Sequence, residues 1–233
     1  MSAIYTSDEY LRTTGETWHA EDSKWKAGQI LNIMRKNHLR PDTMAEIGCG
    51  AGGILRELSK HLPSKFEGYD IAPRAIEMAR QTESNVQFHC ADMLETDARF
   101  DVLLVIDVFE HIPDYMGFVS QCRGKADYKV YHIPLDLSVS SMLRNSFIPT
   151  GGVTPQGRIH LHYFTADWAL ATLKETGHEI VDYAYTNGSF GVFWQHPSFK
   201  TALANVPRWL VSKVSDALSA RLFGGYSLLV LAK

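Results

Sequence analysis

Four carboxylates, Glu46, Asp70, Asp92 and Asp107, stand at the ends of four successive apolar segments, and two histidines follow them, His111 just past the fourth segment and His132 ending a fifth. If these segments are parallel strands, the acids share one crevice at the carboxyl edge of a sheet, where open α/β proteins bind their ligands. Such a crevice suits a cation. The glycine-rich stretch "EIGCGAGGI", Glu46 to Ile54, adds backbone N–H groups and a helix N-terminus at the same place. The chemistry implied is the holding of a charged cofactor, with imidazoles at hand to take a proton.

The glycines alone fit two fingerprints. Gly48, Gly50 and Gly53 spell the G-x-G-x-x-G of nicotinamide and flavin enzymes, whereas Gly48, Gly50 and Gly52 behind Glu46 spell an E-x-G-x-G-x-G that suits S-adenosylmethionine. Glu46 arbitrates. A carboxylate there repels a pyrophosphate by roughly 1–4 kcal/mol at 4 Å, and a sulfonium or an ammonium reverses the sign. Gly52 is therefore expected as the third cofactor glycine, with Gly53 given to helix packing. Asp70 can accept both hydroxyls of a ribose in either cofactor. Asp92 is expected to reach an adenine amino group, and Asp107 to lie close to the transferable group.

The elements that must carry these residues alternate between helical and extended patterns from about residue 25 to 186, which predicts a parallel sheet covered by helices. "KWKAGQILNIMRKNHL" reads as a helix, "TMAEIG" as the first strand and "GGILRELSKHL" as the helix after the glycine turn. "KFEGYDI", "VQFHCAD", "FDVLLVID" and "YKVYHIP" read as strands two to five, and "PRAIEMARQT" as a helix with Pro73 in its first turn. "TADWALATLKETG" reads as a helix with Thr165 as N-cap and Gly177 just past its end, and "HEIVDYAY" as a sixth strand. "PRWLVSKVSDALSARLFGG" reads as one helix from Pro207 to Gly224, its leucines and valine buried in its own domain, and "YSLLVLAK" closes the sheet. The expected fold is an α/β Rossmann-like, seven-stranded, mostly parallel sheet with helices on both faces and an antiparallel C-terminal strand. One domain spans 1–233: an arm and lid at 1–38, a cofactor core at 39–186, an acceptor loop at 134–163 and a helical insertion at 187–225.

As a set, "EIGCGAGG", "GYDIAPRAIEMAR", "HCADML" and "FDVLLVIDVFEHIPD" resemble the successive motifs of class I S-adenosylmethionine-dependent methyltransferases, in the branch of ubiquinone-type, small-molecule and sugar O-methyltransferases. The resemblance covers about residues 25–186. It implies cofactor contacts from Glu46, Gly48, Cys49, Gly50, Gly52, Asp70, Ile71, Asp92, Met93, Ile106 and Asp107, and places Lys26 where some relatives hold the cofactor carboxylate. The implied reaction is methyl transfer to a small-molecule hydroxyl, of a sugar or a biosynthetic intermediate. Alternatives are N-methylation of a small amine, a nicotinamide oxidoreductase and a non-catalytic cofactor binder.

Positioning supplies much of such a displacement, on the order of 7–11 kcal/mol at best. For an unactivated hydroxyl a base adds about 10²–10⁴-fold. His111 in "DVFEHIPD" is the first candidate and His132 in "YHIPLD" the second; each also has a structural reading, as a turn-capping or a core histidine. Asp107, Glu110 and His111 form a D-x-x-E-H arrangement that some quinone O-methyltransferases associate with a divalent cation, and "RIHLHYF" sets His160 and His162 on one face to line the acceptor pocket; no metal is expected. The arm residues Tyr5, Tyr10, Trp18, His19 and Trp25 suggest a water-excluding lid, and Arg144 and Arg158 an anionic acceptor group or plain solvated charge.

Formal net charge is −3 without a basic stripe, which argues against nucleic acid as a partner. Three cysteines without C-x-x-C spacing argue for a reducing compartment. No apolar run approaches a membrane span, so the sequence reads as a cytoplasmic monomer or homodimer without stable membrane insertion.

Overall fold

Apolar residues alternating along the strands and recurring at helical spacing between them bury two separate cores, one on each face of a single sheet. The computed structural model describes residues 20–147, 160–188 and 199–233. The strands are β1 (Thr43–Ile47), β2 (Lys65–Asp70), β3 (Val86–Cys90), β4 (Phe100–Ile106), β5 (Ala126–Leu135), β6 (Ile180–Thr186) and β7 (Tyr226–Ala232). They form one seven-stranded sheet in the order β3-β2-β1-β4-β5-β7-β6. β1 to β5 pair in parallel, and β7 inserts antiparallel between β5 and β6.

Successive side chains of β4 serve opposite faces, as the pleat requires. Val102, Leu104 and Ile106 meet α1 (Ala20–Lys36), α2 (Gly53–Ser59) and α3 (Pro73–Gln81) through Ile30, Met34, Leu55, Leu58 and Ile76. Leu103 and Val105 pack on the other face with α4 (Tyr115–Cys122) and α6 (Ala166–Glu175) through Phe118, Val119, Ala169 and Leu173. This double burial explains why β4 is apolar throughout. Thr165 caps α6 by accepting from Trp168 N, and Gly177 follows it at φ 85°.

The last third departs from the sequence pattern. The expected single helix is two, α7 (Phe199–Ser212), with Pro207 inside it, and α8 (Asp216–Phe223), capped by Ser215. Leu210, Val214 and Leu218, expected to be buried, are exposed, because the break between the helices takes them off a common face. Within the expected acceptor loop, α5 (Val139–Phe147) is a regular helix. Tyr5, Tyr10, Trp18, His19 and Arg158 lie outside the described residues, and Arg144 on α5 is exposed. No helix among the described residues is long and apolar enough to cross a membrane.

Candidate active site

β1 and β4 are neighbours from which the chain leaves in opposite directions, and the crevice between their carboxyl ends opens into a cleft of roughly 1400 Å³, its mouth included. Glu46 lies at its floor, 2 % exposed, with Oε2 unpartnered. Burial pushes its carboxyl well above the usual range, Asp70 and Asp107 add to this, and Lys26 opposes it.

The glycine turn is shaped by three left-handed residues, Gly48 (φ 70°), Gly50 (φ 51°) and Gly52 (φ 75°). The N–H groups of Gly48 and Cys49 both donate to Tyr69 O, at 2.8 and 3.1 Å, which ties the turn to the end of β2. Gly48, Cys49, Gly50, Gly53 and Ile54 line the cleft. Of the last two glycines, Gly52 is buried, and a Cβ there would lie 2.3 Å from Phe88 on β3. Gly52 serves helix–sheet packing, and Gly53, the first residue of α2, faces the cleft.

Asp70 lines the cleft while accepting from Gly50 N (2.9 Å) through Oδ2 and from Ala72 N (2.8 Å) through Oδ1. Its carboxyl is raised by burial, against those backbone donors. Ile71, Ala72, Ala91, Asp92 and Met93 continue the wall, with Asp92 Oδ1 capping the turn at Leu94 N (2.9 Å). Ile106 and Asp107 close the other side.

Asp107 adopts φ 54°, a left-handed conformation a short polar side chain tolerates. Its N–H donates to His132 O at 3.0 Å. Lys26 Nζ lies 2.8 Å from its Oδ2, and His132 Nδ1 2.6 Å from its Oδ1. Burial pushes its carboxyl up, but these two neighbours overcome that and hold it well below the usual carboxylate range. Lys26, expected near a cofactor carboxylate, lines the cleft as the partner of Asp107.

The histidines separate by environment. His132 is 4 % exposed and does not line the cleft; its Nδ1 meets Asp107 and its Nε2 meets Thr186 Oγ1 at 3.0 Å. His111 lines the cleft beside Glu110, whose carboxylate lies 3.9 Å from the His111 Nε2. His160 lines it too, from the segment after the expected acceptor loop. His162 turns away, bonded through Nε2 to Ile112 O at 2.9 Å. Glu110, His111 and His160 each offer one donor atom within 4.8 Å of the others, the type of set a divalent cation uses. Two polar residues at the cleft escaped the sequence reading: Ser23 on α1, which lines it, and Asp136, just past β5 and bonded to His160. The strand-end rule that found the other acids would have found Asp136.

A family model described as "Methyltransferase domain" matches residues 18–204. The chain belongs to the methyltransferase family. Its fold is that of the S-adenosylmethionine-dependent class I enzymes. Among curated relatives, ubiquinone biosynthesis O-methyltransferases are similar: that of Coxiella burnetii is 27 % identical over 122 residues (47 % of this chain, 52 % of the relative), and that of Glaesserella parasuis 30 % over 135 residues (50 % and 57 %). The matched parts thus span little more than half the length of those relatives. The methyltransferase fold is also similar to magnesium protoporphyrin IX methyltransferase from Synechocystis with bound S-adenosylhomocysteine, at 15 % identity and a TM-score of 0.63, covering 98 % of this chain and 95 % of that one. The N-methyltransferase NodS from Bradyrhizobium japonicum gives 17 % identity and a TM-score of 0.53 over 90 % and 94 %.

Proposed function

We propose that the protein transfers a methyl group from S-adenosylmethionine to the hydroxyl of a small molecule. The observation that carries this is the unpartnered, buried Glu46 Oε2 beneath the glycine turn, in a cleft that Asp70 and Asp92 also line. Such a floor suits a cationic ligand with a ribose and an adenine and opposes a diphosphate. When bound there, the cofactor supplies a methyl carbon on a good leaving group.

In this reading the chain's own residues divide the work. Gly48 to Gly50, lacking bulky side chains at the cleft wall, let the backbone lie close to the amino acid end of the ligand, and Asp70 keeps a second lone pair on each oxygen for the ribose hydroxyls. Asp92, Met93 and Ile71 flank the base. Asp107, fixed by Lys26 and His132, cannot swing to take a proton, so His132 acts as a positioning residue. Glu110, His111 and His160 face the acceptor, and His111 is assigned to hold its hydroxyl. The resemblance to ubiquinone-type relatives favours oxygen over nitrogen as the acceptor atom.

The reading is tested by thermal unfolding with S-adenosylhomocysteine and with NAD. At a hundredfold excess over its dissociation constant the ligand stabilises the fold by about 2.7 kcal/mol, about 5–10 °C for a chain of this size. Stabilisation by NAD and none by S-adenosylhomocysteine would overturn it.

A further inference from the structure

We infer that His160, oriented by Asp136, is the base that takes the proton from the acceptor. The inference rests on the hydroxyl-methylation reading above and names the group that reading leaves open.

Of the four histidines around the site, the geometry leaves His160 the best prepared. His132 does not line the cleft and has both ring nitrogens engaged, by Asp107 and Thr186. His162 donates its Nε2 proton to a backbone carbonyl. His111 lines the cleft, and its 3.9 Å approach to Glu110 is too long for a hydrogen bond that would orient the ring. His160 directs Nδ1 at Asp136 Oδ2, 2.5 Å away, while the ring stays in the cleft wall with its side chain 6 % exposed. A carboxylate on Nδ1 fixes the proton there and leaves the Nε2 lone pair free to accept.

The placement is built in. Leu161 N and His162 N both donate to Glu110 O, at 2.9 and 3.1 Å, so the segment carrying His160 is clamped to the turn carrying His111. The His111 and His160 rings then meet edge to face with centroids 4.8 Å apart. Glu110 is 1 % exposed with neither carboxyl oxygen partnered. Burial, and then the Asp107 charge, push its acid well up.

The same three side chains offer donors within 4.8 Å of one another, a set that a divalent cation also fits, and the chelation arm of the test below tells the two roles apart. The acceptor oxygen gives a lone pair to the methyl carbon, the pair of the breaking carbon–sulfur bond stays on sulfur, and the hydroxyl proton passes to His160 Nε2. The positive charge lost at sulfur reappears on an imidazolium that Asp136 balances.

The test uses the full chain with phenol, catechol and methyl glucoside as hydroxyl probes, and 4-nitrophenol as a probe already ionised at the assay pH. His160→Gln is expected to lower kcat on a hydroxyl probe by about 10²–10⁴-fold, with KM and S-adenosylhomocysteine affinity unchanged and with 4-nitrophenol far less affected. Imidazole added to His160→Gly should restore part of the lost rate. Asp136→Asn, which keeps the shape, should cost about 10–100-fold. His160→Gln with normal turnover, or with an equal loss on 4-nitrophenol, overturns the inference and leaves the hydroxyl reading standing. Wild-type activity abolished by EDTA and restored by magnesium overturns it in favour of a cation held by Glu110, His111 and His160. Wild-type protein that binds S-adenosylhomocysteine but methylates none of the probes defeats the hydroxyl reading, and the inference with it.

Discussion

Replacing Gly52 by alanine separates the two duties of the glycine turn. Gly52 sits at φ 75°, where an L-residue costs roughly 1–2 kcal/mol. The added Cβ would lie 2.3 and 2.4 Å from Phe88 Cζ and Cε1 and 3.1 Å from Arg56 Nη1. Phe88 is 7 % exposed and packed in the α1–α3 core, so it has little room to withdraw, and overpacking of this kind costs about 1–3 kcal/mol. Together the two effects give about 2–5 kcal/mol, or a fall in Tm of about 4–20 °C. Urea unfolding of wild type, Gly52→Ala, Phe88→Leu and the double variant forms a cycle. Shortening Phe88 should return part of the loss, because it removes the clashing ring edge. A loss below about 1 kcal/mol, or strict additivity in the double variant, would refute the placement of Gly52 against β3.

Other expectations follow from the same geometry. Asp70→Ala removes the acceptor of the Gly50 and Ala72 N–H groups and the ribose contact together, and should weaken S-adenosylhomocysteine by about 1.5–3 kcal/mol in a calorimetric titration. Lys26→Met leaves Asp107 with His132 alone and should destabilise by about 1.5–3 kcal/mol, more than Asp107→Asn, measured by Tm. His178 is buried between Tyr131 Oη (2.8 Å) and Thr176 Oγ1 (3.2 Å), and burial pulls it down to about 4. With the unfolded group near 6.5, the unfolded chain binds the extra proton first, so stability present above pH 6.5 is lost as pH falls toward 4. The loss is at most about 3 kcal/mol, and urea midpoints at pH 7 and 4.5 should converge for His178→Gln but not for wild type.

Sequence made legible what short-range rules control. Thr165 and Gly177 bound α6 as their residue types imply, and the acids at the ends of β1 to β4 meet in one cleft because parallel strands end on one edge. Contacts made through space were not legible. Nothing within a few residues of Gly52 says that Phe88, thirty-six positions later, occupies its side-chain space. Pro207 reads as a helix start by local preference, yet the turn before it continues the helix and tolerates the missing N–H. The pairing of Asp136 with His160 spans twenty-four residues and depends on where the chain returns to the sheet after α5.

Three acids of the cleft are held differently, and this bears on the charge the cleft accommodates. Lys26 and His132 hold Asp107 well below the usual carboxylate range, whereas burial pushes Glu46 and Glu110 well above it, with neighbouring carboxylates adding to the rise and Lys26 opposing it. A sulfonium beside them favours their ionisation, and the uncharged product withdraws that support. The same burial that leaves Glu46 Oε2 unpartnered thus makes the cleft more accommodating to the charged methyl donor than to the spent one, which favours exchange after each transfer.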